Sequence, residues 1–290
     1  MYTKILAPLD GSKFGEQVLP YVRIYAEMYR IPVVLLHVQD PDIRVPFWPP
    51  LATEEYLQQA SGKYLAPSMT VDHVLEVGKA AEVIVDRARD DPACLIALAT
   101  HGLSGARRWL LGSVASKVAH TTTNPLLFIR PSDTEEPVTE VELKTVFVPL
   151  DGSALAEKVL PHVIELARKI NLEVQLVRVY SVPPDAYVVG AGVYPQAFVG
   201  QKDAIQKEAE TYLDGKVEEL RAEGVTQVLS TAIAGDPAGE IIDLAQRTPK
   251  NMIAMSSHGR SGLAQWVLGS VAEKVIHHSR DPVLVIRPTA

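Results

Sequence analysis

The feature that most constrains the fold of this chain is an internal duplication. The stretch from Lys4 to Ser12, Lys-Ile-Leu-Ala-Pro-Leu-Asp-Gly-Ser, has a counterpart 141 positions later that ends at Ser153. Further on, Gly112 and its counterpart Gly269 lie 157 positions apart, so the second copy carries a net insertion of 16 residues. Copies of about 140 residues are each long enough to bury a core. We therefore expect two related domains, residues 1–131 and 143–290, joined by an acidic linker over residues 132–142.

Within each copy, short apolar runs alternate with helical patterns. The first copy predicts strands near Lys4–Leu9, Val33–Gln39, Val71–Val77, Cys94–Thr100 and Leu126–Arg130. It predicts helices near Ser12–Tyr29, Thr53–Leu65, Ala80–Arg89 and Ser113–Thr122. Most of the strands are rich in Val, Ile and Leu without strict alternation, as in parallel strands that are covered on both faces. The pattern predicts an α/β fold with two doubly wound domains and helices on both faces of each sheet.

A glycine-rich stretch follows the fourth strand of each copy. Gly102 is followed by nine residues and then Gly112-Ser113, and Gly259 is followed by nine residues and then Gly269-Ser270. A helical pattern begins after each Gly-Ser pair. Glycines between a strand and a helix N-terminus allow backbone N–H groups to approach an anion, and the unpaired donors of the first helical turn favour negative charge. The stretch is not a Walker A loop, because it lacks the Gly-Lys-Ser/Thr ending.

The composition restricts the classes of ligand and the cellular compartment that we expect for this chain. The formal net charge is −7, which argues against nucleic acid as the main ligand. No apolar run approaches the roughly 20 residues of a membrane span, and the N-terminal residues do not have the pattern of a signal peptide. Cys94 is the only cysteine, so a disulfide within the chain is impossible and we expect a reducing cytoplasm. No Cys/His or His/Asp cluster has the spacing of metal ligands.

At this point each half resembles a universal stress protein domain, and the whole chain resembles a tandem universal stress protein. Three features carry the resemblance: Pro-Leu-Asp-Gly-Ser after the first strand, at 8–12 and 149–153; a second strand that ends in His37-Val38 or Arg178-Val179; and the glycine spacing described above. The resemblance implies a five-stranded parallel sheet of order 3-2-1-4-5 in each half. It also implies that the apolar edges near 126–129 and 283–286 pair, so that the halves form an internal pseudo-two-fold dimer; a further homodimer is possible.

The resemblance further implies an adenine-nucleotide site in each half, for ATP or AMP/ADP, with or without Mg²⁺. The ligand would lie at the carboxyl ends of the first and fourth strands, where the strand order reverses. The family pattern assigns Asp10 or Asp151 to the ribose or adenine, Val38 or Val179 to the adenine through the backbone, and the glycine loop to the phosphates. The loop residues are Gly102, Gly112, Ser113 and Val114 in the first copy, and Gly259, Gly269, Ser270 and Val271 in the second.

The residues themselves leave simpler roles open. Asp10 and Asp151 are also suited to forming a turn or capping a helix, and Val38 and Val179 to filling the core. The Gly-Ser pairs could serve only as a tight turn with a capping serine. The family's first loop glycine is replaced by Ala99 and Ser256, which would weaken binding if that position requires a positive φ.

Other residues near the loop have more than one possible role. A hydrogen bond that fixes the loop is favoured over catalysis for His101 and His258. Arg107 and Arg108 have no cationic counterpart in the second copy and could face either phosphates or solvent. The loops 41–51 and 182–200, rich in Pro, Gly and aromatic residues, could pack on their own domain, cover a ligand or form an oligomer contact.

Three functions follow from these patterns. The leading one is an adenine-nucleotide-binding regulatory protein of the stress response. The alternatives are a nucleotide-free interaction or scaffold module, which the missing first glycines favour, and a slow ATPase that acts as a switch. No residue is placed persuasively as a general base, so we expect binding rather than turnover, with at most slow hydrolysis of ATP.

Overall fold

A computed structural model describes residues 2–42, 54–102, 111–132, 138–181, 196–259 and 268–287, with side chains omitted for 196–201. The first half contains strands β1 (Lys4–Pro8), β2 (Val33–Gln39), β3 (Val71–Val77), β4 (Cys94–Ala99) and β5 (Leu126–Ile129). Its helices are α1 (Lys13–Glu16), α2 (Leu19–Tyr29), α3 (Glu54–Tyr64), α4 (Ala80–Arg89) and α5 (Ser113–Thr121). The predicted strands are confirmed to within a residue at each end.

The second half repeats this order. Its strands are β6 (Thr145–Pro149), β7 (Glu173–Tyr180), β8 (Val228–Ala234), β9 (Asn251–Ser256) and β10 (Val283–Ile286). Its helices are α6 (Leu160–Ile170), α7 (Gln196–Ala222), α8 (Pro237–Arg247) and α9 (Ser270–His278), with a 3₁₀ turn at Ala156–Val159. Residues 196–200, which the sequence placed in a loop, are helical. The 27-residue helix α7 stands where the first half has the 11-residue α3.

The predicted single helix over 12–29 is wrong in one respect, because the structure divides it. Helix α1 ends at Glu16, and α2 begins at Leu19 with Pro20 in its first turn. Proline has no N–H and is tolerated at the start of a helix, where that donor has no partner, but not in the interior. Pro161 occupies the same place in α6, so both halves start this long helix at the same point.

All ten strands form one sheet, in the order β3-β2-β1-β4-β5-β10-β9-β6-β7-β8. Strands within each half are parallel, and the order 3-2-1-4-5 is confirmed twice. The two halves join through β5 and β10, which pair antiparallel with Leu127 opposite Leu284. The expected internal pairing of the final strands is therefore present. It removes two apolar sheet edges from solvent, which matters because such edges promote aggregation.

Helices cover both faces of the sheet. One buried cluster lies under α2, α3, α6 and α7, and the other lies under α4, α5, α8 and α9. This arrangement is the consequence of right-handed crossovers on either side of β1 and β6. The chains leaving β1 and β4 go to opposite faces, which opens a crevice between their carboxyl ends. The same holds for β6 and β9, so the fold provides two equivalent crevices. None of the described helices has the length and apolar character needed to cross a membrane.

Candidate functional site

The turn after the first strand is held by an aspartate. The Asp10 Oδ1 accepts hydrogen bonds from the Ser12 N–H (3.0 Å) and Ser12 hydroxyl (2.6 Å), and the Ser12 Oγ accepts from the Gly15 N–H (2.9 Å). Gly11, between them, has a φ of 86°, in the left-handed region that favours glycine. Asp10 therefore does stabilise the turn, as the sequence allowed, and it does so through Oδ1.

The second half builds the same turn. The Asp151 Oδ1 accepts from the Ser153 N–H at 2.9 Å, and the Ser153 Oγ accepts from the Ala156 N–H at 3.2 Å. Gly152 also has a φ of 86°. The two aspartates thus have matching local geometry although Ala156 stands where the first half has Gly15.

The structure brings each aspartate into contact with one glycine of the nearby loop, Gly102 in the first half and Gly259 in the second. A Cβ added to Gly102 would lie 1.9 Å from the Asp10 Oδ2, and one added to Gly259 would lie 2.1 Å from the Asp151 Oδ2. Even an alanine is therefore excluded at either glycine unless the carboxylate moves. The two motifs that the sequence repeats, 92 residues apart in the first half (Asp10 to Gly102) and 108 in the second (Asp151 to Gly259), meet in one crevice in each half.

The second loop glycine is required for a different reason. The Gly112 N–H donates to the Thr100 carbonyl at 2.7 Å, and the Gly269 N–H donates to the Ser257 carbonyl at 2.8 Å. An added Cβ would lie 3.1 Å and 2.9 Å, respectively, from those carbonyl oxygens. The φ values of the two glycines are −58° and −64°, so the lack of space, and not backbone conformation, selects glycine.

Helices α5 and α9 begin directly after these glycines. The N-cap is Gly112 or Gly269, and neither makes a side-chain capping bond. The first N–H groups of a helix have no partner within it and are directed along the axis, together with the positive end of the helix dipole. Ser113, Val114 and Ser270 are exposed there, and Val271 is half-buried. The structure thus supplies an accessible helix N-terminus beside each aspartate crevice.

The two valines lie at the rim of the crevices. Val38 and Val179 are the second-last residues of β2 and β7, are half-buried, and pack at the edge of the core on the α4 and α8 side. Their neighbours on the strands point to the opposite face. A partly exposed valine at a strand end is compatible with both roles that the sequence allowed, core filling and contact with a ligand.

The residues beneath the turn differ between the halves, and sequence reasoning assigned them no role. His37 is buried, and its Nδ1 lies 2.8 Å from the Leu9 carbonyl, which can only accept. At the equivalent position, Arg178 donates through Nη2 to both Glu208 oxygens at 2.9 Å. Its guanidinium lies 4.7 Å from the centre of the Tyr212 ring. The signal for this difference was the mismatch of His37 and Arg178 within otherwise matching repeats.

The histidines before the loop glycines pair with the hydroxyl of the residue that precedes them. The Nδ1 of His101 shares a hydrogen bond with the Thr100 hydroxyl, and the Nδ1 of His258 shares one with the Ser257 hydroxyl, each at 2.9 Å. These bonds join neighbouring side chains, and the loop-fixing role expected for His101 and His258 stays a prediction. The substituted first glycines, Ala99 and Ser256, end strands β4 and β9 and have no positive φ. Their replacement therefore causes no backbone strain.

Several predicted features fall outside the described residues. These are Arg107 and Arg108 with their counterparts Ala264 and Gln265, and the greater part of the loops 41–51 and 182–200. Among the residues that are described, no group of three or more His, Cys, Asp or Glu could hold a metal ion. Cys94 is buried, and burial raises the pKa of its thiol to about 12. Such a thiol is protonated at neutral pH and is not nucleophilic.

Comparison with known proteins gives one family. The universal stress protein family profile matches residues 1–130 and again residues 142–287. The universal stress protein YxiE of Bacillus subtilis is 30% identical over 145 residues, which are 49% of this chain and 97% of that protein. A universal stress protein of Mycobacterium tuberculosis is 24% identical over 301 aligned positions, with 98% of this chain and 96% of the relative covered.

Solved structures agree on the fold. The crystal structure of a universal stress protein from Archaeoglobus fulgidus superposes with a TM-score of 0.68 at 20% identity, over 98% of both chains. A functionally unknown protein from Pseudomonas aeruginosa gives a TM-score of 0.70 at 13% identity, over 99% of this chain and 93% of the other. The tandem arrangement of two α/β domains is thus found in full-length structures.

Proposed function

Because the chain belongs to the universal stress protein family in both halves, we propose that it binds an adenine nucleotide in the crevice of each half. The observation that carries this proposal is the contact between Gly102 and Asp10, repeated between Gly259 and Asp151. This contact places the carboxylate of Asp10 or Asp151, a hydrogen-bond acceptor held by its turn, beside the glycine loop. Open α/β sheets bind their ligands at this point of the fold.

The chemistry of the crevice matches a nucleotide from end to end. The carboxylate of Asp10 or Asp151 is a hydrogen-bond acceptor and suits the ribose hydroxyls, which are donors. The phosphates suit the N-terminus of α5 or α9, where N–H groups and the helix dipole favour an anion. The adenine then lies towards Val38 or Val179, whose backbone would supply its polar contacts.

The two loop glycines keep the phosphate end open. Gly112 and Gly269 bring the start of each helix within hydrogen-bond distance of the preceding strand, which leaves no space for a side chain. ATP, ADP and AMP share the groups that this crevice would contact, and Mg²⁺ would accompany the phosphates of ATP. The proposed role is regulatory binding in the stress response within a reducing cytoplasm, with no more than slow hydrolysis.

The test is calorimetric titration of the full chain with ATP, with and without Mg²⁺, after mass analysis of any nucleotide that copurifies. We expect two sites in the unmodified protein and one in either Gly112→Val or Gly269→Val. Loss of two phosphate hydrogen bonds of about 1.5 kcal/mol each corresponds to roughly 100-fold weaker binding.

Gly62→Val and Gly215→Val are matched controls, because a Cβ at either helical position meets no atom within 4 Å. Both should keep two sites. A folded, unmodified protein that takes up no nucleotide under either condition would contradict the proposal and favour a nucleotide-free interaction module. ATP hydrolysis that persists in the variant carrying both Gly112→Val and Gly269→Val would come from a contaminant.

A further inference from the structure

Two arginines at equivalent positions reach from one half into the other. Arg130 and Arg287 directly follow β5 and β10. Because these strands are antiparallel neighbours, the end of each lies beside the start of the other. Each arginine therefore comes close to the helix that precedes the opposite final strand, which is α9 for Arg130 and α5 for Arg287.

Both arginines bind the carboxyl end of that helix. The Nη2 of Arg287 donates to the Ala119 carbonyl of α5. The Nη1 of Arg130 lies 3.3 Å from the His277 carbonyl and 3.4 Å from the Ser279 carbonyl, at the end of α9. The last carbonyls of a helix have no partner within it and form the negative end of its dipole, so a cationic donor is the complement that they require.

Arg287 is buried, with 7% of its surface exposed, and burial lowers the pKa of its guanidinium. Within the described part of the chain, its Nε and Nη1 have no hydrogen-bond partner, and no carboxylate forms an ion pair with it. A buried cation without a counterion is costly. In the described structure, this cost is offset by the carbonyl groups and the negative dipole end of α5. Arg287 is therefore stabilised by its contact with that helix.

The second half also touches the other end of α5. The N–H of Leu111, the residue before Gly112, donates to the Nδ1 of His277 at 3.5 Å. Burial lowers the pKa of His277, which favours the neutral ring and leaves Nδ1 able to accept. The counterpart of His277, His120, instead has its Nδ1 2.8 Å from the Ser116 carbonyl within its own helix. The opposite half thus contacts both ends of α5, at Leu111 through His277 and at Ala119 through Arg287.

We propose that Arg287 is a positioning residue for the nucleotide site of the first half and Arg130 for that of the second. The inference rests on the proposed function, since it concerns the same sites. Helix α5 has nine residues, about 13 Å in length, and its backbone hydrogen bonds join its two ends. A shift at its Ala119 end is therefore expected to displace Ser113, whose backbone N–H would bind phosphate. Each site thus depends on a contact that the opposite half makes.

The experiment uses full-length chains with one site disabled. Gly269→Val retains the first site and Gly112→Val retains the second. Into each background we introduce Arg287→Met or Arg130→Met, which remove charge and donor but preserve length. Calorimetry with ATP should show about 5-fold weaker binding at the first site with Arg287→Met and at the second site with Arg130→Met. Where the retained site lies in the same half as the substituted arginine, its affinity for ATP should change by less than about 2-fold.

Three further measurements keep the result interpretable. Arg287→Lys should recover part of the affinity, and Arg280→Gln, an exposed arginine beside α9, should change neither site. Hydrogen exchange without nucleotide should show faster exchange in α5 for Arg287→Met and in α9 for Arg130→Met. This readout stands even if the unmodified chain binds no ATP, which would contradict the proposed function alone. Weakening of the site in the same half, equal weakening of both sites, or unchanged exchange in the opposite helix would overturn the inference.

Discussion

The two halves have the same residues facing the crevice but different residues supporting it. Asp10 and Asp151 make matching turns and contact matching glycines. Beneath those turns, the first half uses a buried His37 that binds the backbone of the turn directly. The second half has Arg178, which turns away to Glu208 and Tyr212 on helix α7. A duplicated site can therefore retain its geometry while the layer beneath it takes on other contacts.

The difference extends to the helix that follows the second strand. In the second half, Tyr212 and Lys216 of α7 both donate to Glu157, at 2.7 and 2.9 Å, and Glu157 lies in the 3₁₀ turn after Asp151. In the first half, the equivalent Glu16 pairs with Lys63 of α3 at 3.6 Å, and its carboxylate interacts more weakly with the hydroxyls of Tyr56 and Tyr64. The long α7 is thus bonded closely to the second crevice, whereas α3 is joined more loosely to the first. Movement of α7 should reach Asp151 more directly than movement of α3 reaches Asp10.

The interface between the halves is also unequal, and this gives the largest expected effect. The first half contributes Tyr2, Tyr25 and Tyr29, whose rings pack together with centroids 5.0 to 6.3 Å apart. The equivalent positions in the second half are aliphatic, at Leu143, Leu166 and Ile170. The second half instead contributes His162, whose Nδ1 lies 3.0 Å from the Tyr2 hydroxyl.

Burial lowers the pKa of His162 from 6.5 to about 4, which makes the stability of this interface depend on pH. The unfolded chain takes up a proton as the pH falls through 6.5, whereas the folded chain resists it until about pH 4. The contribution of His162 to the free energy of unfolding is therefore fully present above pH 6.5. It is lost progressively between pH 6.5 and about 4 and does not change at lower pH. The loss is at most about 3 kcal/mol, since His162 retains some exposure.

Urea unfolding of His162→Gln should show a smaller decrease between pH 7 and pH 5 than the unmodified chain. Tyr21→Gln, at the equivalent position of the first half, is the matched control and should lower stability by the same amount at both pH values. If His162→Gln runs parallel to the unmodified protein over this range, the histidine is not the source of the pH dependence.

A smaller effect separates the tyrosines that face the two turns. The Tyr212 hydroxyl donates to Glu157, whereas the Tyr56 hydroxyl is buried near Glu16 without satisfying hydrogen-bond geometry to any described residue. Tyr212→Phe should cost about 1.5 kcal/mol, because it removes a hydrogen bond to a charged acceptor and keeps the ring beside Arg178. Tyr56→Phe should cost less, about 0.5 kcal/mol, because the Tyr56 hydroxyl interacts with the Glu16 carboxylate without reaching standard hydrogen-bond geometry.

Thermal and urea unfolding of the two variants side by side tests this contrast. A clearly larger cost for Tyr212→Phe than for Tyr56→Phe would support the unequal attachment of α3 and α7. Equal costs would mean that the support beneath the two crevices is the same after all.

The alternation of strands and helices was sufficient to predict a parallel doubly wound sheet, and the resemblance to the universal stress protein family supplied the strand order and hence the place where the two motifs meet. Parallel strands bring their carboxyl ends to one edge, so Asp10 and Gly102 had to come close once the strand order was known. The position of the helix start at Leu19 was missed because the apolar pattern continues through Gly15 to Tyr29, and only the proline at Pro20 marks the break.

Contacts that depend on tertiary geometry could not be predicted in this way. That Gly112 is required by its distance from the Thr100 carbonyl follows from the path of the loop, and the motif alone suggested backbone freedom. The reach of Arg287 to Ala119 depends on the antiparallel register of β5 and β10. Arg178 and Glu208 are 30 residues apart across the segment whose helix start the sequence did not locate.

The smallest expected difference concerns the helices after the third strand. In the second half, the N-cap of α8 is Asp236, whose Oδ2 accepts from the Gly239 N–H at 3.0 Å. In the first half, the N-cap of α4 is Lys79, which makes no capping bond and instead forms exposed ion pairs with Asp40 and Asp42. Asp236→Ala should lower the free energy of unfolding by about 1 kcal/mol, the usual contribution of a capping aspartate.

Lys79→Ala should cost less than about 0.5 kcal/mol, since exposed ion pairs contribute little and are screened by salt. Urea titrations at low and high ionic strength distinguish the two. The cost of Asp236→Ala should persist in high salt, because a neutral N–H donor remains without its partner, and any cost of Lys79→Ala should vanish. If the two substitutions cost the same at both ionic strengths, capping does not separate these helices, and the halves would differ only beneath the crevices and at their shared interface.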